Sequence, residues 1–82
     1  MEYQVTIHAK ALRDLRHFSP DVARRILLKV RDLQGDLAGD VKQLKNHDPG
    51  WRLRVGDYRV LFDLHGAVIL VRRIAHRRDV YD

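Results

Sequence analysis

The chain has 82 residues and a net charge of +5, from 16 Lys and Arg against 11 Asp and Glu. It has no cysteine, which excludes a disulfide framework and a thiolate metal site. Its longest wholly apolar run, Ala67 to Val71, is far too short to span a bilayer, so no membrane role is expected.

The length fits one domain over residues 1–82 with a modest core. The opening Met-Glu-Tyr-Gln-Val-Thr lacks a basic-then-apolar leader pattern, so a cytoplasmic location is expected. Charge is uneven along the chain. Residues 1–40 carry seven basic and six acidic side chains, and residues 41–82 carry nine and five. A basic C-terminal half points to a polyanionic partner, most simply nucleic acid.

Tyr3, Val5 and Ile7 alternate with polar residues, the pattern of a first strand. Ala9, Leu12, Leu15 and Phe18 recur at helical spacing and predict a short amphipathic helix. Ser19-Pro20 ends it and starts another, with Ser19 as N-cap and Pro20 at the first helical position. Val22, Ile26, Val30 and Leu33 form the apolar stripe of this second helix, which should end near Gly35. Asp36 to Gly50 is a turn-rich connection with room for a brief extended piece around Val41 to Leu44. Three strand-like runs follow: Trp51 to Val55, Tyr58 to Leu64 and Ala67 to Ile74, separated by Gly56-Asp57 and His65-Gly66. The expected fold is α+β in the order β-α-α-β-β-β, with a helical hairpin on one face of a small, mainly antiparallel sheet.

Two-residue turns fix hairpin register. Around Gly56-Asp57, Val55 should face Tyr58, Arg54 should face Arg59, and Arg52 should face Leu61. Around His65-Gly66, Phe62 should face Ile69, Val60 should face Val71, and Arg59 should face Arg72. One face then collects Trp51, Leu53, Val55, Tyr58, Val60, Phe62, Leu64, Ala67, Ile69 and Val71 as a core. The other collects Arg52, Arg54, Arg59 and Arg72 with Leu61, Val68, Leu70 and Asp63. Like charges facing across strands are unfavourable by about 0.2–1 kcal/mol per pair. With Asp63 as the nearby acid, the row Arg54–Arg59–Arg72 is expected to hold an anion, and arginine's flat fork matches phosphate oxygens. The tail from Ile74 to Tyr81 adds His76, Arg77, Arg78 and Tyr81, cations beside a ring on which a base can stack. Lys42 and Lys45 are further candidates for RNA contact.

The run Trp51-Arg-Leu-Arg-Val-Gly-Asp-Tyr-Arg-Val-Leu-Phe, followed by a strand and His76-Arg-Arg-Asp-Val-Tyr81, resembles the RelE/ParE toxin superfamily. The resemblance covers the whole chain, and its specific part is the C-terminal half. Its RelE branch implies a ribosome-dependent mRNA endonuclease of a type II toxin–antitoxin module, cutting by attack of a ribose 2′-hydroxyl on the adjacent phosphate. It implies a cognate antitoxin, a ribosome and mRNA as partners, a toxin–antitoxin hetero-oligomer, and no metal or other cofactor. By position it marks Arg52, Arg54, Arg59, Arg77 and Tyr81 as catalytic. Positions 52 and 54 are often lysine in well-known RelE-type toxins, and arginine is essentially never deprotonated. His76 is therefore the candidate base, since histidine ordinarily titrates close to neutral pH. The other reading is a ParE-like protein that inhibits DNA gyrase by binding, without catalysis.

Overall fold

The computed structural model describes residues 2–80. Its elements are β1 (Gln4–Ile7), α1 (Ala9–Arg16), α2 (Pro20–Asp32), β2 (Asp40–Gln43), β3 (Trp51–Val55), β4 (Tyr58–His65) and β5 (Val68–His76). They form one five-stranded sheet in the order β1-β5-β4-β3-β2. β1 is parallel to β5, and the other neighbours are antiparallel. The expected α+β class holds, with one strand more than the pattern showed. The extended piece after Gly39 is a paired edge strand, from Asp40↔Arg54 to Gln43↔Trp51.

Both helices begin where local chemistry starts them. Ser19 Oγ accepts from Val22 N at 3.4 Å with Pro20 in the first turn of α2. His8 Nδ1 accepts from Lys10 N at 3.1 Å and caps α1 in the same way. Ile26 and Val30 of α2 and Leu33 at its C-terminal cap are buried as expected, while Val22 is half-buried. In α1 the stripe is shifted: Ala11 and Leu15 are buried and Phe18 packs at the core's margin, while Leu12 is exposed. Positions 11, 15 and 18 make a narrower helical face than 9, 12, 15 and 18, and the small Ala11 lets α1 sit close to the sheet. The core lies between this hairpin and the sheet face carrying Leu53, Val55, Val60, Phe62, Ile69, Val71 and Ile74.

The β3–β4 register is the expected one, including Arg54↔Arg59 and Arg52↔Leu61. The β4–β5 register is not. The turn is Gly66-Ala67 rather than His65-Gly66, so His65 faces Val68 and Phe62 faces Val71. Gly66 has φ +60, as Gly56 has φ +58, so glycine takes the first central position in both hairpins, the place where a type II′ turn needs it. Ala67 is exposed and leaves the expected core.

A bulge then changes β5. Leu61 faces Arg73 and Phe62 faces Val71, so Arg72 is the extra residue between them. Before it, Ile69 and Val71 point into the core; after it, Ile74 does. Asp14 of α1 holds this segment where β1 has ended. Its carboxylate accepts from Arg73 Nε at 3.0 Å, Arg73 NH2 at 3.2 Å and Ile74 N at 2.8 Å. The hydrogen bond to Asp14, then its charge, raises the Arg73 pKa above its ordinary value. Arg73 therefore stays cationic at any workable pH.

Asp14→Ala should lower stability by about 1–3 kcal/mol, because it leaves the part-buried Ile74 amide without its acceptor. Urea unfolding checks this. Asp14→Asn, which keeps an acceptor oxygen, should lose less.

Candidate nucleic-acid interface

The sheet face turned away from the helices is built in rows. Across β2, β3, β4 and β5, one row reads Asp40, Arg54, Arg59, Ala75. The next reads Lys42, Arg52, Leu61, Arg73. Neighbouring strands lie about 4.8 Å apart and alternate residues on one strand about 6.8 Å apart. Lys42, Arg52, Arg54 and Arg59 therefore share one compact area. Leu61 is 4 % exposed although it lies outside the helix-side core cluster. The Arg52 side chain, across from it, is 12 % exposed, so its aliphatic stem lies along the face.

Each arginine is held in a particular way. Arg54 Nε donates to Asp40 Oδ2 at 2.7 Å, and Arg52 NH2 lies 3.9 Å from Asp40 Oδ1. Arg59 NH1 donates to the Gly56 and Tyr58 carbonyls at 2.8 and 3.0 Å, which folds its guanidinium over the β3–β4 turn. Asp40 sits on the edge strand that the sequence pattern understated. The face is thus better neutralised than Asp63 alone would make it.

Arg72 does not join the row. Arg59 faces Ala75, and the bulge sets Arg72 beside Asp63 instead, NH1 to Oδ2 at 2.7 Å, with Asp48 Oδ1 at 3.7 Å. The other Asp63 oxygen accepts from Gly50 N at 3.2 Å. Arg72 and Asp63 therefore tie the 44–50 loop to β5. His47 Nδ1 lies 2.7 Å from the Pro49 carbonyl and closes that loop on itself. Lys42 and Lys45 meet farther out, lining a cleft of about 450 Å³ with Gln43, Leu44 and His47 beside β2.

The tail is more ordered than a free end. Arg77 N donates to the Asp57 carbonyl at 2.7 Å and its Nε lies 3.8 Å from Asp57 Oδ1, which places Arg77 beside the β3–β4 turn that Arg59 spans. His76 is elsewhere. It faces Tyr58 in register, with ring centroids 5.5 Å apart, and Tyr58 in turn packs on Phe18 at 5.0 Å. Its Nδ1 accepts from Arg78 N at 3.2 Å. The imidazole lies on the helix-covered side, with one ring nitrogen already engaged, and not among the arginines. Arg78 is exposed on the turn beyond it. Tyr81 lies outside the described residues.

A family model described as ParE toxin of type II toxin-antitoxin system, parDE, matches residues 5–81. The chain belongs to the RelE/ParE toxin superfamily. Toxin RelE3 of Methanocaldococcus jannaschii is 34% identical over 76 residues, covering 87% of this chain and 86% of that one. Among solved structures, the RelB-RelE antitoxin-toxin complex from Methanococcus jannaschii aligns with TM-score 0.76 at 30% identity, over 93% of this chain and 94% of its own. The RelBE2 complex from Mycobacterium tuberculosis aligns with TM-score 0.81 at 23% identity, over 94% and 100%, a likeness of fold.

Sequence reasoning missed one residue and one contact of this candidate site in a RelE/ParE superfamily member. Asp40 was hidden by the shortness of β2, and the Asp63–Arg72 tie by the bulge. The Gly39-Asp40 pair before an alternating stretch was the signal for the first. Nothing local announces the second. Asp63→Ala should speed amide exchange at Gly50 and expose the 44–50 loop to protease, at about 1 kcal/mol of global stability, while β3–β4 pairing stays intact.

Proposed function

We propose that this chain is the toxin of a type II toxin–antitoxin module, a ribosome-dependent endoribonuclease that cleaves mRNA on its arginine face. The observation that carries the reading is Arg54 facing Arg59, with Arg52 and Lys42 in the adjoining row, on a sheet face that no helix covers. In the proposed reaction the 2′-oxygen bonds to phosphorus and the bond to the 5′-oxygen breaks. The 2′-hydroxyl proton leaves to a base, and a proton is delivered to the departing 5′-oxygen. Arg52, Arg54, Arg59 and Arg77 are assigned to the negative charge that grows on the phosphorane, the task to which permanently charged forks are suited. Tyr81 is assigned to base stacking or proton transfer from the tail. The placement of His76 against Tyr58 argues that it orders the tail, through its bond to Arg78 N, rather than serving as base. Among the described residues the rows holding Arg52, Arg54 and Arg59 carry permanent cations and no histidine, so the ribosome is the natural source of a proton acceptor there.

A cognate antitoxin belongs to the same proposal. Leu12, Leu27 and Leu28 are exposed on the helices, and Leu27 lines a cleft of about 200 Å³ with Val5, Ile7, Val30, Arg31 and Gln34. An acidic amphipathic segment that folds on binding fits this surface of leucines and cations.

The ParE description of the matching family keeps a ParE-like toxin in view, and the second reading is accordingly a non-enzymatic inhibitor of DNA gyrase. Primer extension on translated mRNA separates the two. The endonuclease reading expects codon-phased ends in mRNA, and the gyrase reading expects DNA breaks without them. Arg59→Ala and Arg77→Ala should each cut ribosomal cleavage by about 10²–10³-fold, the usual loss for one charge-stabilising group, and should relieve growth arrest. Unchanged circular dichroism and antitoxin co-purification would show that the fold survives. Full toxicity in both variants would refute the assignment.

A further inference from the structure

Asp40 stands among the cations of the sheet face, and its position is built. Gly39, with φ +131, precedes it, and a Cβ there would stand 3.0 Å from Leu53 Cδ1. Only glycine gives both the conformation and the close pass over β3 that set Asp40 opposite Arg54. The carboxylate grips Arg54 through Nε at 2.7 Å. A guanidinium held at Nε still presents its NH1–NH2 edge, the edge that takes a phosphate bidentately. The Arg54 side chain is 55% exposed, so that edge is open to solvent. The second carboxylate oxygen reaches toward Arg52 at 3.9 Å, so one negative charge serves two cations.

We propose that Asp40 is a positioning residue of the arginine face, aiming the free edge of Arg54 at an RNA phosphate while its charge restrains the affinity of Arg52 and Arg54 for that phosphate. The proposal rests on the RNA-binding reading above. A site for a polyanion must also release it, and a fixed carboxylate beside two arginines competes with every phosphate that arrives. The charge and the geometry of Asp40 can be separated, because asparagine keeps an oxygen that accepts from Nε and alanine does not.

The experiment uses the full chain and a short labelled single-stranded RNA with 2′-O-methyl riboses, which binds but cannot be cut, over a salt series. Ribosomal cleavage at saturating mRNA is measured in parallel. Asp40→Asn should bind the RNA about two- to fivefold more tightly, in keeping with an exposed ion pair that no longer competes. Its salt dependence should steepen by roughly 0.7 per added phosphate contact. Asp40→Ala should also bind more tightly, but its saturated rate should fall roughly tenfold as Arg54 loses its aim. Unchanged affinity and salt slope in Asp40→Asn overturn the proposal, as does a wild-type saturated rate in Asp40→Ala. A lower melting temperature with unaltered RNA binding would mark Asp40 as a strut between β2 and β3 and would also overturn it. Arg54→Ala is the control on the underlying reading. If it binds RNA like the wild type, the face is not the RNA site and the broader reading fails; if it binds weakly while Asp40→Asn is unchanged, only the proposal fails.

Discussion

Asp14 makes the bond on which the shape of this sheet depends. β1 ends at Ile7, paired with Val71, and beyond that point the outer edge of β5 has no neighbouring strand. A bare edge exposes unpaired amides, and a bulge at the same place loosens it further. Asp14 closes the gap from α1 by accepting from Ile74 N and from Nε and NH2 of Arg73. Those bonds fix α1 on the sheet and fix the phase of β5 after the bulge. Ile74 then turns into the core, Ala75 comes opposite Arg59, and His76 stacks on Tyr58. Had the strand continued without a bulge, Arg73 and Ala75 would have faced the core instead.

The same geometry decides how charge is distributed on the open face. Facing arginines repel by a few tenths of a kcal/mol to about 1 kcal/mol, and exposed ion pairs return amounts of similar size. The two effects offset each other in part here, because several of the cations have an acid beside them, while Arg59 is held by the Gly56 and Tyr58 carbonyls. Asp40 serves Arg52 and Arg54, Asp63 and Asp48 serve Arg72, and Asp57 lies beside Arg77. Repulsion among the arginines is therefore already reduced by Asp40 before any ligand arrives. On the proposed reading, what recruits a polyanion is the directional fork of each arginine and the local excess of positive charge that remains.

Much of this was legible in the chain. Ser19-Pro20, the stripe Ile26–Val30–Leu33 and the turn at Gly56-Asp57 carry local chemistry strong enough to place α2 and the β3–β4 hairpin, and with it Arg52, Arg54 and Arg59. The failures were non-local. Gly66 could open its turn or close it, and the two choices differ by two residues of register; cross-strand packing decides between them. The bulge at Arg72 is specified by Asp14, 58 positions earlier in the chain, which no window of neighbouring residues contains. β2 is only four residues long, too short for alternation to stand out from the loop around it. Each miss moved a side chain that matters: Arg72 out of the row, Asp40 into it, and His76 to the other side of the sheet.

That last displacement narrows the chemistry. A neutral histidine whose Nδ1 accepts from a backbone amide carries its proton on Nε2, so it presents a donor and not a free lone pair. His76 also lies behind the sheet with respect to Arg54 and Arg59. The open face among the described residues is then a surface of permanent cations, able to bind and polarise a phosphodiester but poorly supplied with groups that take a proton. Such a surface favours a transition state whose charge is already developing, and it gains most when the substrate is held in line by something else. If the proposed endonuclease reading holds, a small domain of this kind is better suited to act inside a larger assembly that positions the RNA than to capture free RNA and cut it unaided.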